Sequence, residues 1–299
     1  MKRLFLLLSV ACVVVSPGSG YGGEAAPASK SQQPEPQYAG KPLSYWAARA
    51  RARGWFSGWR AAVSALGEIG PPAVPTLTEL LKDKDPGVRQ AAADALGRIG
   101  PAAKAAVPAL TELLRDKGWK VRQAAALALG KTGPEAEAVI SSLGELLKDK
   151  VSVVRSAAAT ALAEIGPAAV PCLTVLLKDN DWQVRRAAAW ALGQIGPEAK
   201  AAVPLLTELL KENEASLRRI AAWALGKIGP VANAAVPSLT ALLKDSDWQV
   251  RRTAASALGG IGPAAKTAIP ALTELLNDDY RDVRKAARDG LEKIKAAKS

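Results

Sequence analysis

The chain has 299 residues, room for about two ordinary globular domains or one elongated repeat array, and its 40 Lys and Arg against 28 Asp and Glu give a formal charge of +12. It contains no histidine, which removes the commonest metal ligand and the side chain that most readily moves protons near neutral pH. Aromatic residues are only 5% beside abundant Ala, Leu, Gly and Pro, which suits thin, closely stacked helices rather than one thick core; the charge favours anionic partners without saying which anion.

Met1-Lys2-Arg3 is a short basic start, Leu4 to Val15 an apolar run, and Ser16 to Gly23 small and turn-forming, the order of a secretory signal peptide, assigned to residues 1–22. The apolar run is too short to cross a hydrocarbon core, which needs about 20 helical residues. A retained anchor and lipidation at Cys12 are the lesser alternatives, the second because the apolar run continues past that cysteine. Residues 23–40 are rich in Pro, Ser and Gln and lack apolar periodicity, which predicts a disordered linker. Cleavage takes Lys2 and Arg3 and leaves +10 of the +12 on a chain expected outside the cytoplasm, in the periplasm or at the cell envelope. It also leaves Cys172 as the single thiol, with no intramolecular disulfide open to it and no basic neighbour to activate it.

Residues 41–70 read as a degenerate helix pair that caps the array. Trp46, Arg49, Arg51, Arg53, Trp55, Phe56, Trp59 and Arg60 concentrate there, with no acid between Glu35 and Glu68. The aromatics are expected to cover the open core of the first repeat, with contact to a membrane surface or polyanion as the alternative.

From residue 71 to 299 the chain repeats itself. Ala-Leu-Gly-x-Ile-Gly-Pro recurs with its first Gly at 67, 97, 130, 193, 226 and 259, with Ala163 and Thr132 as single departures, at spacings of 30 and 33 residues. That is the period of a helix-pair solenoid. Each copy predicts a helix A, such as Val107 to Leu114 with Val107, Leu110, Leu113 and Leu114 at 3 and 4 spacing, then a polar turn and a helix B. Gly-Pro ends helix B, because Gly accepts positive φ and Pro lacks the N–H that a continuing helix needs. The 30-residue copies lack three residues just after Gly-Pro. The last helix replaces the motif with Glu292-Lys293-Ile294-Lys295, a charged cap. The count is seven full repeats after the capping pair.

Every full copy also carries an acid six residues before an Arg: Asp83 and Arg89, Asp116 and Arg122, Asp149 and Arg155, Asp179 and Arg185, Glu212 and Arg218, Asp245 and Arg251, Asp278 and Arg284. With Leu-Leu-Lys-Asp, Val-Arg and Ala-Leu-Gly-x-Ile-Gly-Pro, the chain resembles HEAT repeats, more closely the HEAT-like repeats named after phycocyanobilin lyases, from about residue 60 to 295. The resemblance implies an all-α fold, a right-handed α-solenoid, with these acids and arginines as a structural ladder between neighbouring repeats. A carboxylate paired with a guanidinium is held ionised, which unfits it for proton transfer.

Helix B of the fourth repeat, read at 100° per residue, puts Val184, Ala187, Ala188, Ala191, Leu192 and Ile195 on a core side. Opposite stand Trp182, Arg186 and Trp190, four residues apart, which predicts a cation sandwiched between two aromatics. The next copies carry Arg219 with Trp223, and Trp248 with Arg252. The position after Val-Arg runs Gln90, Gln123, Ser156, Arg186, Arg219, Arg252, Lys285, neutral and then basic. The resemblance implies that B helices line the concave side. The expected function is therefore an exported, monomeric, non-catalytic scaffold without cofactor or metal, holding an acidic segment of a protein partner on this stripe. The competing readings are that Arg and Trp only pack across adjacent B helices, a bilin-lyase-like enzyme, and nucleic-acid binding. The signal peptide opposes the last two, and a metal-dependent hydroxylase of this repeat type needs histidines the chain lacks.

Overall fold

The structure is a computed structural model that describes residues 34–52, 58–133 and 137–296. The signal peptide, most of the linker, and Arg53, Trp55 and Phe56 of the cap lie outside the described residues. The chain divides at Glu35/Pro36, and every element belongs to the second unit.

That unit starts earlier than the linker assignment allowed. Gln37–Tyr38 (β1) and Lys41–Pro42 (β2) pair antiparallel across Ala39 at φ 49° and Gly40 at φ 70°, the two left-handed residues that a tight hairpin turn requires. Two-residue strands carry no periodicity that a sequence reading could detect. The hairpin is held by tertiary contacts: the Leu43 amide donates to the Pro36 carbonyl at 2.9 Å, and the Trp46 indole N–H donates to the Tyr38 carbonyl at 3.1 Å. The Trp46 ring also meets those of Tyr38 and Tyr45 edge-on.

The capping pair follows as α1 (Leu43–Arg51) and α2 (Trp59–Ile69). Seven A–B pairs complete an all-α solenoid: α3 (Val74–Leu80) with α4 (Pro86–Ile99), α5 (Val107–Glu112) with α6 (Trp119–Thr132), α7 (Glu137–Leu146) with α8 (Ser152–Ile165), α9 (Val170–Leu176) with α10 (Trp182–Ile195), α11 (Val203–Leu209) with α12 (Ala215–Ile228), α13 (Val236–Ala241) with α14 (Trp248–Ile261), and α15 (Ile269–Glu274) with α16 (Arg281–Lys295). The corner glycines adopt positive φ as Gly-Pro demands, for example Gly100 at 69° and Gly196 at 80°. The missing residues of the short copies come out of a 3₁₀ lead-in to helix A, Gly166–Ala169 before α9 against Gly100–Ala106 before α5.

Ser152–Leu176 has the length and hydropathy of a membrane span. It is two helices, α8 and α9, broken at Gly166 with φ 79°, and their Ala and Leu faces are buried in the array.

The first glycine of the motif has a separate reason. Consecutive B helices approach so closely that a Cβ on Gly97 would stand 3.1 Å from Cα of Ala128, one on Gly130 2.7 Å from Cα of Ala161, and one on Gly226 2.7 Å from Cα of Ala257. Glycine on one helix meets alanine on the next, backbone against backbone, and neither can give way by rotating a side chain.

Gly226→Ala is expected to lower thermal stability. Overpacking costs roughly 1–3 kcal/mol, which exceeds the gain of about 1 kcal/mol in helix propensity because the atom met is backbone. A melt followed by far-UV circular dichroism that is unchanged or higher refutes this account of the glycine.

Candidate functional site

The acid–arginine pairs form a ladder whose rungs run forward along the array. Arg89 donates through Nε and Nη2 to both oxygens of Asp116 at 2.8 and 3.0 Å, and Arg122 does the same to Asp149 at 2.7 and 3.0 Å. Arg218 grips Asp245 at 2.7 and 2.9 Å, and Arg251 grips Asp278 at 2.7 and 3.1 Å. Within one copy the six-residue couple meets differently. The third guanidinium nitrogen, Nη1, donates to the backbone carbonyl of its own acid, as Arg89 to Asp83 at 2.7 Å and Arg284 to Asp278 at 2.7 Å. The carboxylates of Asp116, Asp149, Asp245 and Asp278 are thus left for the preceding repeat, a division that follows from the planar fork of arginine.

Each full rung is well buried, with Arg122 and Asp149 side chains 10% and 9% exposed. Burial by itself would raise the carboxyl pKa of Asp116, Asp149 and Asp245; the arginine hydrogen bonds, a backbone amide two residues on and the arginine charges outweigh it and hold all three below the ordinary range. In Asp278 the hydrogen bonds from Arg251 lead, with the same result. The Arg185–Glu212 rung is loose, a single contact at 3.4 Å, because Glu has one more methylene than Asp; Nε of Arg185 is buried without a hydrogen-bond partner.

Between consecutive full repeats, one rung is missing among the described residues. Asp149 and Asp179 are 30 residues apart rather than 33, and with the lead-in to α9 shortened, Asp179 is taken by Nζ of Lys148 at 3.2 Å. Arg155 still donates to its own Asp149 carbonyl at 2.7 Å, but its Nη2 donates to Oε1 of Gln183, a neutral amide.

A cleft of about 260 Å³ opens over this junction, across α8, α10 and α12. Arg155, Arg186 and Arg219 line it, Trp190 and Ile220 supply apolar surface, and no carboxylate belongs to the lining. The sequence stripe is therefore only partly brought together. Arg186, Trp190 and Arg219 share the cleft. Trp182 lies with Arg186 at 5.5 Å from its ring, so the expected sandwich is one-sided. Trp223 does not pair with Arg219: it packs against α10 over Gly193 and takes Lys227 at 5.8 Å, while Arg219 donates to Oε1 of Gln249. Trp248 and Arg252 pair as expected at 5.5 Å, but away from the cleft, with Trp248 stacked on Tyr280 at 5.2 Å and Arg252 3.9 Å from Asp282. The helical stripe missed Arg155 and Gln183; the 30-residue interval between Asp149 and Asp179 was the available signal.

A family model for HEAT repeats matches residues 59–106, 101–163, 140–226 and 203–292. The chain belongs to the HEAT-repeat family. Among solved structures, the HEAT array is similar to Kap95 in its complex with Nup1, at 18% identity over 84% of this chain and 40% of that one with a TM-score of 0.64. It is also similar to importin beta, at 18% identity over 84% and 40% with a TM-score of 0.57. The array spans about two-fifths of their length, and at these identities the likeness is one of fold. An engineered protein is 27% identical over 85% of this chain and 78% of its own, with a TM-score of 0.49. Comparison with curated proteins gives no match.

The lowered carboxyl values set the acid limit of the ladder. A group whose folded pKa is depressed contributes stability that is complete above its unfolded value, about 3.9, and that is lost as pH falls through the folded value. Asp149→Asn is expected to cost about 3 kcal/mol at neutral pH, since it leaves Arg122 buried without its counter-charge, and the gap to wild type is expected to close as both are acidified below about pH 4. A melting-temperature difference that persists undiminished in acid excludes ionisation of Asp149 as the source.

Proposed function

We propose that this HEAT array is an exported scaffold that holds an acidic segment of a protein partner on its B-helix face, without catalysis. The observation that carries the reading is the cleft over α8, α10 and α12, where three arginines and an indole meet with no carboxylate in the lining. The full-rung arginines spend their charge on buried aspartates, whereas Arg186 and Arg219 have none as a partner among the described residues. Arginine forks matched to carboxylates, beside an aromatic anchor, are what a docking site for an acidic peptide requires.

Two further points support it. The glycine–alanine contacts bring consecutive B helices closer than side chains on both would permit, and tighter spacing on one layer bends an array toward that layer, which agrees with a cleft on the inner face. Kap95, of the same fold, is described in complex with Nup1, and a binding role for this array agrees with that. Export rests on the basic, apolar and small-residue order of residues 1–22. Within the HEAT family, a likeness to the repeats named after phycocyanobilin lyases is supported by the Leu-Leu-Lys-Asp and Gly-x-Ile-Gly-Pro elements. The apolar floor of Trp190 and Ile220 suits amino-acid side chains better than a phosphate backbone, and the array is taken to act as a monomer.

The reading is checked by crosslinking in the cell envelope followed by mass spectrometry, with wild type against the combined Arg186→Glu, Arg219→Glu and Arg252→Glu variant. The triple variant leaves every full rung intact and is expected to keep the helical signal and melting temperature while losing acidic partners. An unchanged partner list refutes the assignment of this face.

A further inference from the structure

We infer that the rung missing between α8 and α10 is completed by a carboxylate of the bound partner, so that Arg155 is the primary anchor of the cleft and binding stitches two halves of the array together. This rests on the acidic-partner reading and names the point at which such a segment is held.

The guanidinium of Arg155 is set up as in the intact rungs. Its Nη1 donates to the Asp149 carbonyl at 2.7 Å, as Arg122 donates to Asp116 and Arg218 to Glu212, each at 2.8 Å. In those copies the Nε–Nη2 edge is filled by an aspartate of the next repeat. At Arg155 the Nη2 of that edge meets, among the described residues, the amide oxygen of Gln183 and no carboxylate, and the residue lines an open cleft. The carboxylate that sequence order would supply, Asp179, is committed to Lys148 at 3.2 Å and to the Asp181 amide at 3.0 Å. A fork held in place by its own backbone, with a neutral acceptor where its neighbours have a charged one, is preorganised for a carboxylate from outside.

The surroundings agree with one occupant. Arg186 and Arg219 stand on the same lining and extend the positive field over it. Ser216, also on the lining, has a buried hydroxyl oxygen without a hydrogen-bond partner, a second polar group that a ligand carboxylate can satisfy. Trp190 and Ile220 offer apolar contact beside the charges. The fitting ligand is a Glu or Asp side chain next to an aliphatic residue. The second arginine-facing position of such a segment falls to Arg186 or Arg219.

The inference predicts internal competition. Gln183→Glu, isosteric with the native side chain, gives Arg155 a carboxylate from its own chain. The probe is the blocked pentapeptide Leu-Glu-Leu-Glu-Leu, with Leu-Gln-Leu-Gln-Leu and a ten-nucleotide oligothymidylate as controls, titrated by calorimetry against the full chain. Wild type is expected to bind the acidic peptide in preference to both controls and to melt at a higher temperature in its presence. Gln183→Glu is expected to melt no lower than wild type and to bind the peptide on the order of tenfold or more weakly, as is Arg155→Gln, whereas Lys244→Gln, at an exposed position outside the cleft, binds as wild type. If both Arg155→Gln and Gln183→Glu bind normally while Arg186→Glu abolishes binding, the missing-rung anchor is wrong and the acidic-partner reading stands. If the glutamine peptide binds equally well, or only oligothymidylate binds, both fail. Should Arg155→Gln not fold, Gln183→Glu alone decides.

Discussion

The close approach of consecutive B helices is the constraint from which the rest of the array follows. Glycine on one helix faces alanine backbone on the next at distances that leave no room for a further methyl group. A solenoid has no sequence-distant core, so its stability is approximately a sum of repeat terms and junction terms, and this contact sets the junction. It also sets the reach of the ladder. With the B helices this close, an arginine near the start of one helix meets the aspartate 27 residues later with both arms of its fork, and four junctions are clamped in that way.

Two kinds of charge result, and their magnitudes separate them. The rung pairs are nearly enclosed, and breaking one leaves a buried ion without its counter-charge, a loss of about 3 kcal/mol or more. Exposed pairs such as Lys244 with Glu274, 78% and 70% exposed, contribute at most about 1 kcal/mol. The structural charges are therefore spent inside the junctions, and the net positive balance belongs to arginines and lysines outside the ladder. Those are the groups available to a partner.

The register of the repeat decides where such groups gather. The ladder needs 27 residues from arginine to aspartate, and the two 30-residue copies do not meet that condition. At the first, Trp59 stands where the ladder arginine falls in later copies, and it packs against the core near Gly87. At the second, the rung is lost between α8 and α10 and the cleft opens over it. A deletion of three residues in a 3₁₀ lead-in thus changes the chemistry of the opposite helix layer, because the lead-in fixes which aspartate faces which arginine.

The sequence by itself determined the helix pairs, their number and their ends. Each depends on local rules: apolar residues at 3 and 4 spacing, Gly accepting positive φ, and Pro refusing a helix N–H. It also placed Trp182, Arg186 and Trp190 on one helix face, since that needs only the 100° step of a single helix, but not their burial: Arg186 is exposed, the two indoles are half-buried and Trp190 packs against the core. Tertiary structure alone decided what lies between helices. The hairpin at residues 37–42 is too short to show a period and stands on contacts from Trp46 and Pro36. The partner of each aspartate is in the preceding copy, Trp223 lies over Gly193 and not with Arg219, and Arg155 joins the cleft because its aspartate went to Lys148. A periodic sequence states what each repeat contains, but the spacing between neighbouring repeats, fixed by backbone contact, selects which of those side chains meet.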